Sequence, residues 1–548
     1  MTETGVEAQE EFDLQMLDVV SRFLETVVVV DDQAFSGELK SSPKVSVDRT
    51  TRSGRAVKGG LAPPIIEDRS EHDLDPKAII DAFAKVGLIC AILEPTVSSD
   101  ESENFINTAR RADLVVLDWV IHRDQGNKTL SLVKSILEAD KSPSYRLRTI
   151  AIYTGEKDLR NVAKRLRAQI EKVYPNHKVE ELDRGFTFRC GPVHATVFAK
   201  GTVADLPAEY ADRRIEVADL PSRLQSEFAR LTSGLISGVA IAALGALRND
   251  THRLLEAVGP NIDRAHLGQR IALSTPADAE VQAASLVIDE IESIIQDNEI
   301  SKFANLETVK KWLTSAANTQ DKYGPVDGSH KAFSLAEVES MLEYGLESDK
   351  GLDAVSSSDN SRSYLRKDVK PKATRLFYDN DGDADNARSE LASKMWTRSL
   401  YGMSERVLHL GTIVWSQATE KYLLCMQPLC DSVRLTESRP FPFLPLTITK
   451  DSNVDIVIKD VITGQWVHLS SSRAPHRTMM LSFTPSERLL IEAKNVSKGK
   501  FVFKDDKRKI YIWIAELRQE FAQRFANELA NQYARVGVDD PETFRHRH

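Results

Sequence analysis

The stretch ADLVVLDWVIHRDQG, residues 112–126, is the strongest constraint on how this chain folds. Four consecutive apolar residues, Leu114 to Leu117, lead directly into Asp118. A short uninterrupted apolar run is typical of a strand that is buried on both faces of a parallel sheet. Open α/β sheets place their functional groups at the carboxyl ends of such strands. Taken alone, Asp118 is best interpreted as a turn or helix-capping residue. The alternative interpretation is a nucleophile or a metal ligand.

Four further segments rich in apolar residues surround this stretch, at residues 26–30, 88–93, 149–153 and 194–199. Segments with the apolar spacing of helices separate them, at residues 75–87, 103–111, 130–137 and 157–173. This alternation predicts a doubly wound, flavodoxin-like α/β domain with a parallel sheet. Alternating residues at 179–188 predict one strand of an added hairpin.

Polar residues follow four of the predicted strands: Asp31, Asp32, Asp118, Thr154 and Lys200. In a doubly wound sheet the carboxyl ends of the strands meet at one edge, so these side chains are expected to converge. Three converging carboxylates repel one another unless a cation is present, and oxygen ligands of this kind suit Mg²⁺. A carboxylate can attack phosphorus to form an acyl phosphate, while a lysine and a hydroxyl bind the phosphoryl oxygens.

The segments VVVVDDQ, VVLDWVIHRDQG, IAIYTGE and VFAKG follow one another in the order found in the receiver domains of two-component response regulators. Residues 25–215 therefore resemble that family. The resemblance implies that Asp118 is the phosphoacceptor. It also implies a Mg²⁺ site made of Asp31, Asp32, Asp118 and the backbone carbonyl of Val120.

The same resemblance implies that Thr154 is the switch hydroxyl and Lys200 the family's lysine. The chain also departs from the family pattern. Gly201 stands where the family has a proline after the lysine, and His122 where it has a proline in the acceptor loop. Val197 stands at the aromatic switch position, so the usual aromatic readout of phosphorylation is not preserved there.

The whole chain is predicted to be multidomain. Residues 1–24 predict an N-terminal helix, and residues 36–75, rich in Ser, Gly, Pro, Lys and Arg, predict a mobile insertion in the receiver-like domain. Residues 216–400 have mostly helical periodicity. Residues 401–548 predict a small β-rich barrel or sandwich with a C-terminal helix at 513–536, which either packs on the barrel or forms a homodimer seam.

Composition limits the location and the partners. A net charge of −9 argues against broad nucleic-acid binding, and four cysteines in 548 residues favour a reducing cytoplasm over a disulfide framework. The uncharged segment 231–247 is slightly short for a membrane span, and its Gly234 and Gly238 favour close packing between helices instead. We therefore expect a cytoplasmic protein with no membrane or nucleic-acid partner.

These features predict a phosphoacceptor protein of a two-component phosphorelay, with Mg²⁺ as cofactor and a histidine kinase or phosphotransfer protein as donor. Its only predicted chemistry is self-phosphorylation and autodephosphorylation. The regions after the receiver are expected to bind a downstream effector, and a loose resemblance suggests bacterial phage defence. Two alternatives stay open: an interaction scaffold with a vestigial receiver, and a Mg²⁺-dependent phosphoesterase using the same carboxylates.

Overall fold

The computed structural model describes most of the chain, in two compact units, Met1–Thr319 and Gln320–His548. The described residues are 3–32, 74–95, 105–122, 124–141, 147–315, 320, 322–324, 332–356, 358–400, 405–450, 454–472, 474–497 and 500–533. The insertion predicted at 36–75 lies outside them, apart from its last two residues. The unit boundary falls inside the predicted helical domain of residues 216–400, and the domain limits given above stay predictions.

The first unit is built on an eight-stranded, mostly parallel sheet, which confirms the predicted α/β class. Its strands are β1 Thr26–Val30, β2 Ile89–Leu93, β3 Leu114–Leu117, β4 Arg148–Thr154, β5 Val179–Asp183, β6 Thr187–Cys190, β7 Val193–Lys200 and β8 Arg214–Ile215. The order is β2-β1-β3-β4-β7-β6-β5, and β8 pairs with the end of β7. The first five strands of this order are parallel.

An antiparallel hairpin, β5 and β6, extends the sheet beyond β7. The sequence predicted one strand at 179–188, whereas the structure has two strands joined by a turn. Arg184 and Gly185 both have positive φ there, which lets the chain reverse within a few residues.

The longer α-helices among the described residues of the first unit follow the chain in order. They are α1 Glu3–Phe23, α2 Pro76–Lys85, α3 Asn127–Asp140, α4 Leu159–Val173, α5 Leu220–Thr232, α6 Leu235–Asn249, α7 Thr251–Ala257, α8 Asp263–Ala272, α9 Asp278–Asp297 and α10 Leu306–Thr314. Residues 105–109 add a short helical stretch. Asp75 caps α2 by accepting hydrogen bonds from the backbone of Lys77 and Ala78.

Strand alternation directs the apolar side chains of β1 to two different cores. Val28 and Val30 pack with α3 and α4 on one face of the sheet. Val27 and Val29 pack with α1, α2 and α5 on the other. Because both faces are covered by helices, the strand is uniformly apolar and polar residues occur only at its ends.

The uncharged segment 231–247 forms most of α6, and the close approach predicted for Gly238 is confirmed, whereas Gly234 precedes the helix. An added Cβ at Gly238 would lie 3.1 Å from the sulfur of Met16, and one at Gly245 would lie 3.3 Å from the carbonyl oxygen of Arg22. The helix therefore packs tightly against α1. Among the described residues, no helix combines the length and apolarity that a membrane crossing requires.

The second unit contains a nine-stranded antiparallel sheet, which confirms the predicted β character. Its strands are β9 Thr412–Ser416, β10 Lys421–Cys425, β11 Arg439–Ile448, β12 Ile456–Lys459, β13 Trp466–Ser471, β14 Met479–Phe483, β15 Lys494–Ser497, β16 Lys500–Lys504 and β17 Ile510–Glu516. The order is β12-β13-β11-β10-β9-β17-β16-β15, with β14 paired to β11.

Five helices accompany this sheet: α11 Leu335–Tyr344, α12 Asp349–Val355, α13 Asp359–Tyr364, α14 Asp381–Trp396 and α15 Gln519–Tyr533. The C-terminal helix was predicted to start at residue 513, but residues 510–516 form β17. The β-branched and aromatic run IYIWIA favours the strand, and the helix begins only at Gln519.

A buried ion pair holds together the amino edge of the first sheet. Arg148 Nε and Nη2 donate to the two carboxylate oxygens of Asp140 at 2.8 and 2.6 Å, and Nη1 donates to the carbonyls of Ala109 and Ala112. Both charged side chains are almost fully buried. Each nitrogen of this guanidinium therefore donates to a buried oxygen.

Arg148→Ala is expected to destabilise the first unit by about 3–5 kcal/mol, because it leaves the Asp140 carboxylate buried without its partner. The matched control is Arg22→Ala, which breaks an exposed pair with Asp18 and should cost less than about 1 kcal/mol. Hydrogen exchange of the β4 amides in the full chain measures both free energies of opening. Equal costs for the two variants would contradict this role of Arg148.

Candidate functional site

Parallel pairing brings the predicted site residues to one edge of the first sheet. Val30 of β1 lies opposite Leu117 of β3, so Asp31 and Asp118 leave neighbouring strands at the same level. Thr154 ends β4 opposite Ala199 of β7, so Lys200 follows beside it. Asp31, Asp118, Thr154 and Lys200 are buried, whereas Asp32 and Val120 are partly exposed.

Three carboxylates meet at this edge. Oxygen atoms of Asp31, Asp32 and Asp118 all lie within 4.8 Å of one another. Asp31 and Asp118 are buried, whereas Asp32 is half-buried toward solvent. Burying like charges this close is unfavourable unless cations balance them.

Lys200 supplies part of that balance. Its Nζ lies 2.8 Å from Asp31 Oδ2 and 3.7 Å from Asp118 Oδ1. The side chain is only 2% exposed, so these contacts are poorly screened by water. One ammonium opposes three carboxylates, which leaves the cluster of Asp31, Asp32, Asp118 and Lys200 net acidic.

Burial raises the pKa of the Asp118 carboxyl to about 7. Lys200 acts in the opposite direction, and the nearby charges of Asp31 and Asp32 raise the pKa further. A bound cation would favour the ionised form of Asp118, as nearby positive charges do in general.

Two buried oxygens of the cluster fit a metal ligand set. Asp32 Oδ1 and Asp118 Oδ2 accept no hydrogen bond from the described residues. Buried carboxylate oxygens are normally satisfied, so these two point to a hard cation such as Mg²⁺. Val120 lies in the same loop two residues after Asp118, where the family resemblance places a carbonyl ligand.

Hydrogen bonds from Trp119 and Thr129 fix the loop that follows β3 around Asp118. The Trp119 N–H donates to Asp118 Oδ1 at 2.9 Å, and the Thr129 hydroxyl donates to the carbonyl oxygens of Asp118 and Trp119 at 2.7 and 3.1 Å. Gly126 has φ +86° and packs on the Trp119 ring so closely that a Cβ there would overlap it. The role of Thr129 depends on this tertiary contact, and the sequence reasoning missed it.

His122 links this loop to Asp32 of the carboxylate cluster. Its backbone N–H donates to Asp32 Oδ2 at 2.7 Å, and its Nδ1 lies 3.3 Å from the same oxygen. Its Nε2 lies 2.7 Å from the carbonyl of Pro95 after β2. The sequence showed His122 only as a departure from the family. The structure shows it bracing Asp32.

The end of β4 connects the cluster to the segment that leaves the sheet. The Thr154 hydroxyl accepts a hydrogen bond from the Glu156 N–H at 3.1 Å. The neighbouring Tyr153 hydroxyl donates to the carbonyl of Ile215 at 2.9 Å, and Ile215 pairs with Lys200 through β8. The backbone of Ile215, just before the helical region that follows, is therefore hydrogen-bonded to Tyr153 and lies next to Lys200.

Val197, at the aromatic switch position of the family pattern, and its neighbour Phe198 are both fully buried, on opposite faces of β7. Val197 packs in the core beneath α3 and α4. Phe198 packs in the other core, against α5, with the guanidinium of Arg223 5.7 Å from its ring centre.

Residues 23–205 match the family model described as a response receiver domain. The match confirms the resemblance drawn from the strand-end residues. Neither the curated proteins nor the solved structures contained a match to the chain.

The raised pKa of Asp118 has a consequence for stability. Between its ordinary value and about 7, the folded metal-free protein keeps a proton that the unfolded chain has released. Stability from this group is therefore lost as pH rises through about 7. Asp118→Asn cannot ionise and should gain about 2–3 kcal/mol of stability relative to the wild type as pH rises from 5 to 8.

Urea unfolding in EDTA, compared between the two proteins at both pH values, measures this difference. Mg²⁺ should then stabilise the wild type more than the variant at pH 8. A pH-independent difference between the two proteins would contradict the assigned environment of Asp118.

Gly126→Ala should destabilise the acceptor loop, because a Cβ would meet the Trp119 ring at a positive φ. Gly87→Ala is the matched control, since Gly87 has φ +78° and no atom within 4 Å of an added Cβ. The control should cost about 1 kcal/mol and Gly126→Ala at least about 1 kcal/mol more. Thermal unfolding measures both, and equal costs would show that the contact with Trp119 is unimportant.

Proposed function

We propose that this chain is a phosphoacceptor of a two-component phosphorelay and that Asp118 receives the phosphoryl group. The observation that carries the proposal is the buried cluster of Asp31, Asp32, Asp118 and Lys200 at the carboxyl edge of a receiver-domain sheet. The donor would be a phosphohistidine on a histidine kinase or a phosphotransfer protein.

In the transfer step a carboxylate oxygen of Asp118 attacks phosphorus. The O–P bond forms as the P–N bond to the donor histidine breaks, and the released imidazole takes up a proton. The product is an acyl phosphate on Asp118. Phosphoryl transfer depends mainly on positioning and charge neutralisation, both of which a rigid, charged cluster provides.

The residues of this chain have distinct parts in that step. The Trp119 N–H orients one oxygen of Asp118 and leaves Oδ2 without a hydrogen-bond donor among the described residues. Lys200, placed between Asp31 and Asp118, offsets the charge that the phosphoryl group adds. The Thr154 hydroxyl, held by the Glu156 N–H, would donate to a phosphoryl oxygen.

Asp31, Asp32, Asp118 and the carbonyl of Val120 would hold Mg²⁺. When bound, the ion supplies positive charge against the carboxylates and the incoming phosphoryl oxygens. His122 would keep Asp32 turned toward this position through its backbone hydrogen bond.

The regions after residue 215 would form the output of the phosphorelay, as a surface for a downstream effector. The hydrogen bond from Tyr153, the residue before Thr154, to the carbonyl of Ile215 supports this proposal. A role in bacterial phage defence stays a prediction from a loose resemblance.

Incubation of the full chain with Mg²⁺ and acetyl phosphate should add one phosphoryl group, detected by intact-protein mass. Asp118→Asn should abolish the gain. Asp113→Asn, which alters a buried carboxylate at the opposite end of β3, should keep it. Lys200→Ala should slow phosphorylation at least about 100-fold, because it removes the only lysine in the cluster.

The rival functions give different results. A vestigial receiver would gain no phosphoryl group although it is folded, and its partner binding would be insensitive to Asp118→Asn. A Mg²⁺-dependent phosphoesterase would turn over a phosphoester substrate repeatedly. Either result would overturn the proposal.

A further inference from the structure

Arg165 joins helix α4 to the acceptor loop, whose described residues are 119–122 and 124–126. Its Nη1 donates to the backbone carbonyl of Gln125 at 2.5 Å, and its Nη2 donates to Asn127 Oδ1 at 3.0 Å. The carbon of its guanidinium lies 5.0 Å from the centre of the Trp119 ring. One side chain therefore contacts the loop and the start of α3 through two hydrogen bonds and a cation–π interaction.

The indole of Trp119 contacts both this guanidinium and Gly126. The residue is only 3% exposed, and a Cβ added to Gly126 would overlap the ring. A cation–π interaction is stronger where water is excluded from it. Close packing of this kind restricts the ring to one orientation.

Trp119 stands between two of the proposed Mg²⁺ ligands. Asp118 precedes it, and the Trp119 N–H donates to Asp118 Oδ1 at 2.9 Å. Val120, whose carbonyl is a further proposed ligand, follows it. A group that fixes the Trp119 ring therefore influences the orientation of both ligands.

Two residues of the acceptor loop have a backbone conformation that residues other than glycine rarely adopt. His122 has φ +53° and Gln125 has φ +58°. Such conformations cost free energy and persist only where surrounding contacts hold them. The His122 N–H donates to Asp32 at 2.7 Å, whereas the Gln125 carbonyl accepts the hydrogen bond from Arg165. The loop therefore depends on contacts from outside it, and one of them comes from Arg165.

We propose that Arg165 is a positioning residue for the Mg²⁺ site, acting through Trp119 on Asp118 and on the Val120 carbonyl. This inference rests on the Mg²⁺ site of the proposed function. Because Arg165 is cationic, its charge alone would repel Mg²⁺. Removing the side chain therefore has opposite effects in the two cases: loss of positioning weakens Mg²⁺ binding, whereas loss of charge strengthens it.

Calorimetric titration of the metal-free full chain with Mg²⁺, at fixed pH and ionic strength, tests this role. Arg165→Ala should raise the Mg²⁺ dissociation constant about tenfold, the lower end of the effect usual for residues that orient metal ligands. Arg165→Lys should also weaken binding, because an ammonium keeps the charge but cannot reproduce the planar contact with two acceptors. The matched control is Arg167→Ala on the same helix, which removes ion pairs with Glu171 and Glu181 and should leave the constant within about twofold.

Hydrogen exchange of the metal-free proteins separates positioning from a general loss of stability. The amides of Gly126 and Lys128 donate to the Asp124 carboxylate, and they should exchange faster in Arg165→Ala than in the wild type. The amides of β4 should keep their wild-type protection. Faster exchange in β4 as well would mean that Arg165 only stabilises the first unit, which would overturn the inference.

Unchanged or tighter Mg²⁺ binding by Arg165→Ala would also overturn the inference, and so would a wild type that binds no Mg²⁺. The Asp118-dependent mass gain tests the proposed function separately. A wild type that binds Mg²⁺ but gains no phosphoryl group would overturn the phosphoacceptor role alone. A mass gain together with a Mg²⁺ affinity that is insensitive to Arg165 would overturn only this inference.

Discussion

The enclosure of three carboxylates around one buried lysine is the constraint on which the first unit depends. Asp31, Asp118 and Lys200 come from three different strands, so their contacts exist only while β1, β3, β4 and β7 keep their parallel register. The cluster is costly in the folded chain, as the raised pKa of Asp118 shows. A site that binds a cation would have reason to keep this imbalance, because the cation relieves it.

The two edges of the first sheet differ in how their buried charges are balanced. Its amino edge is closed by a fully paired buried ion pair, Arg148 and Asp140, whereas its carboxyl edge holds the unbalanced cluster. Tyr153 joins the reactive edge to β8 and the helices that follow. Val197 and Phe198 of β7 are both buried, whereas Tyr153 of β4 makes a hydrogen bond to the backbone of Ile215.

Local patterns predicted the main elements of the first unit well. The valine run of β1 and the apolar run of β3 could be recognised because a strand buried on both faces needs uninterrupted apolar residues. The same reasoning failed at residues 510–516, where helical spacing downstream obscured a strand that pairs with β9. That strand pairs with the neighbouring β16 and with β9, and the second partner lies almost a hundred residues away, outside any local window.

The sequence by itself determined which polar residues stand at the strand ends, because strand endings follow from short-range apolar patterns. Only the tertiary structure decided that His122 braces Asp32, that Gly126 must accommodate the Trp119 ring, and that a hairpin extends the sheet beyond β7. It also decided that α7, α8 and α9 keep their apolar residues outside the core. These features arise from contacts between segments that are distant in the sequence, and such contacts form only when the tertiary structure brings those segments together.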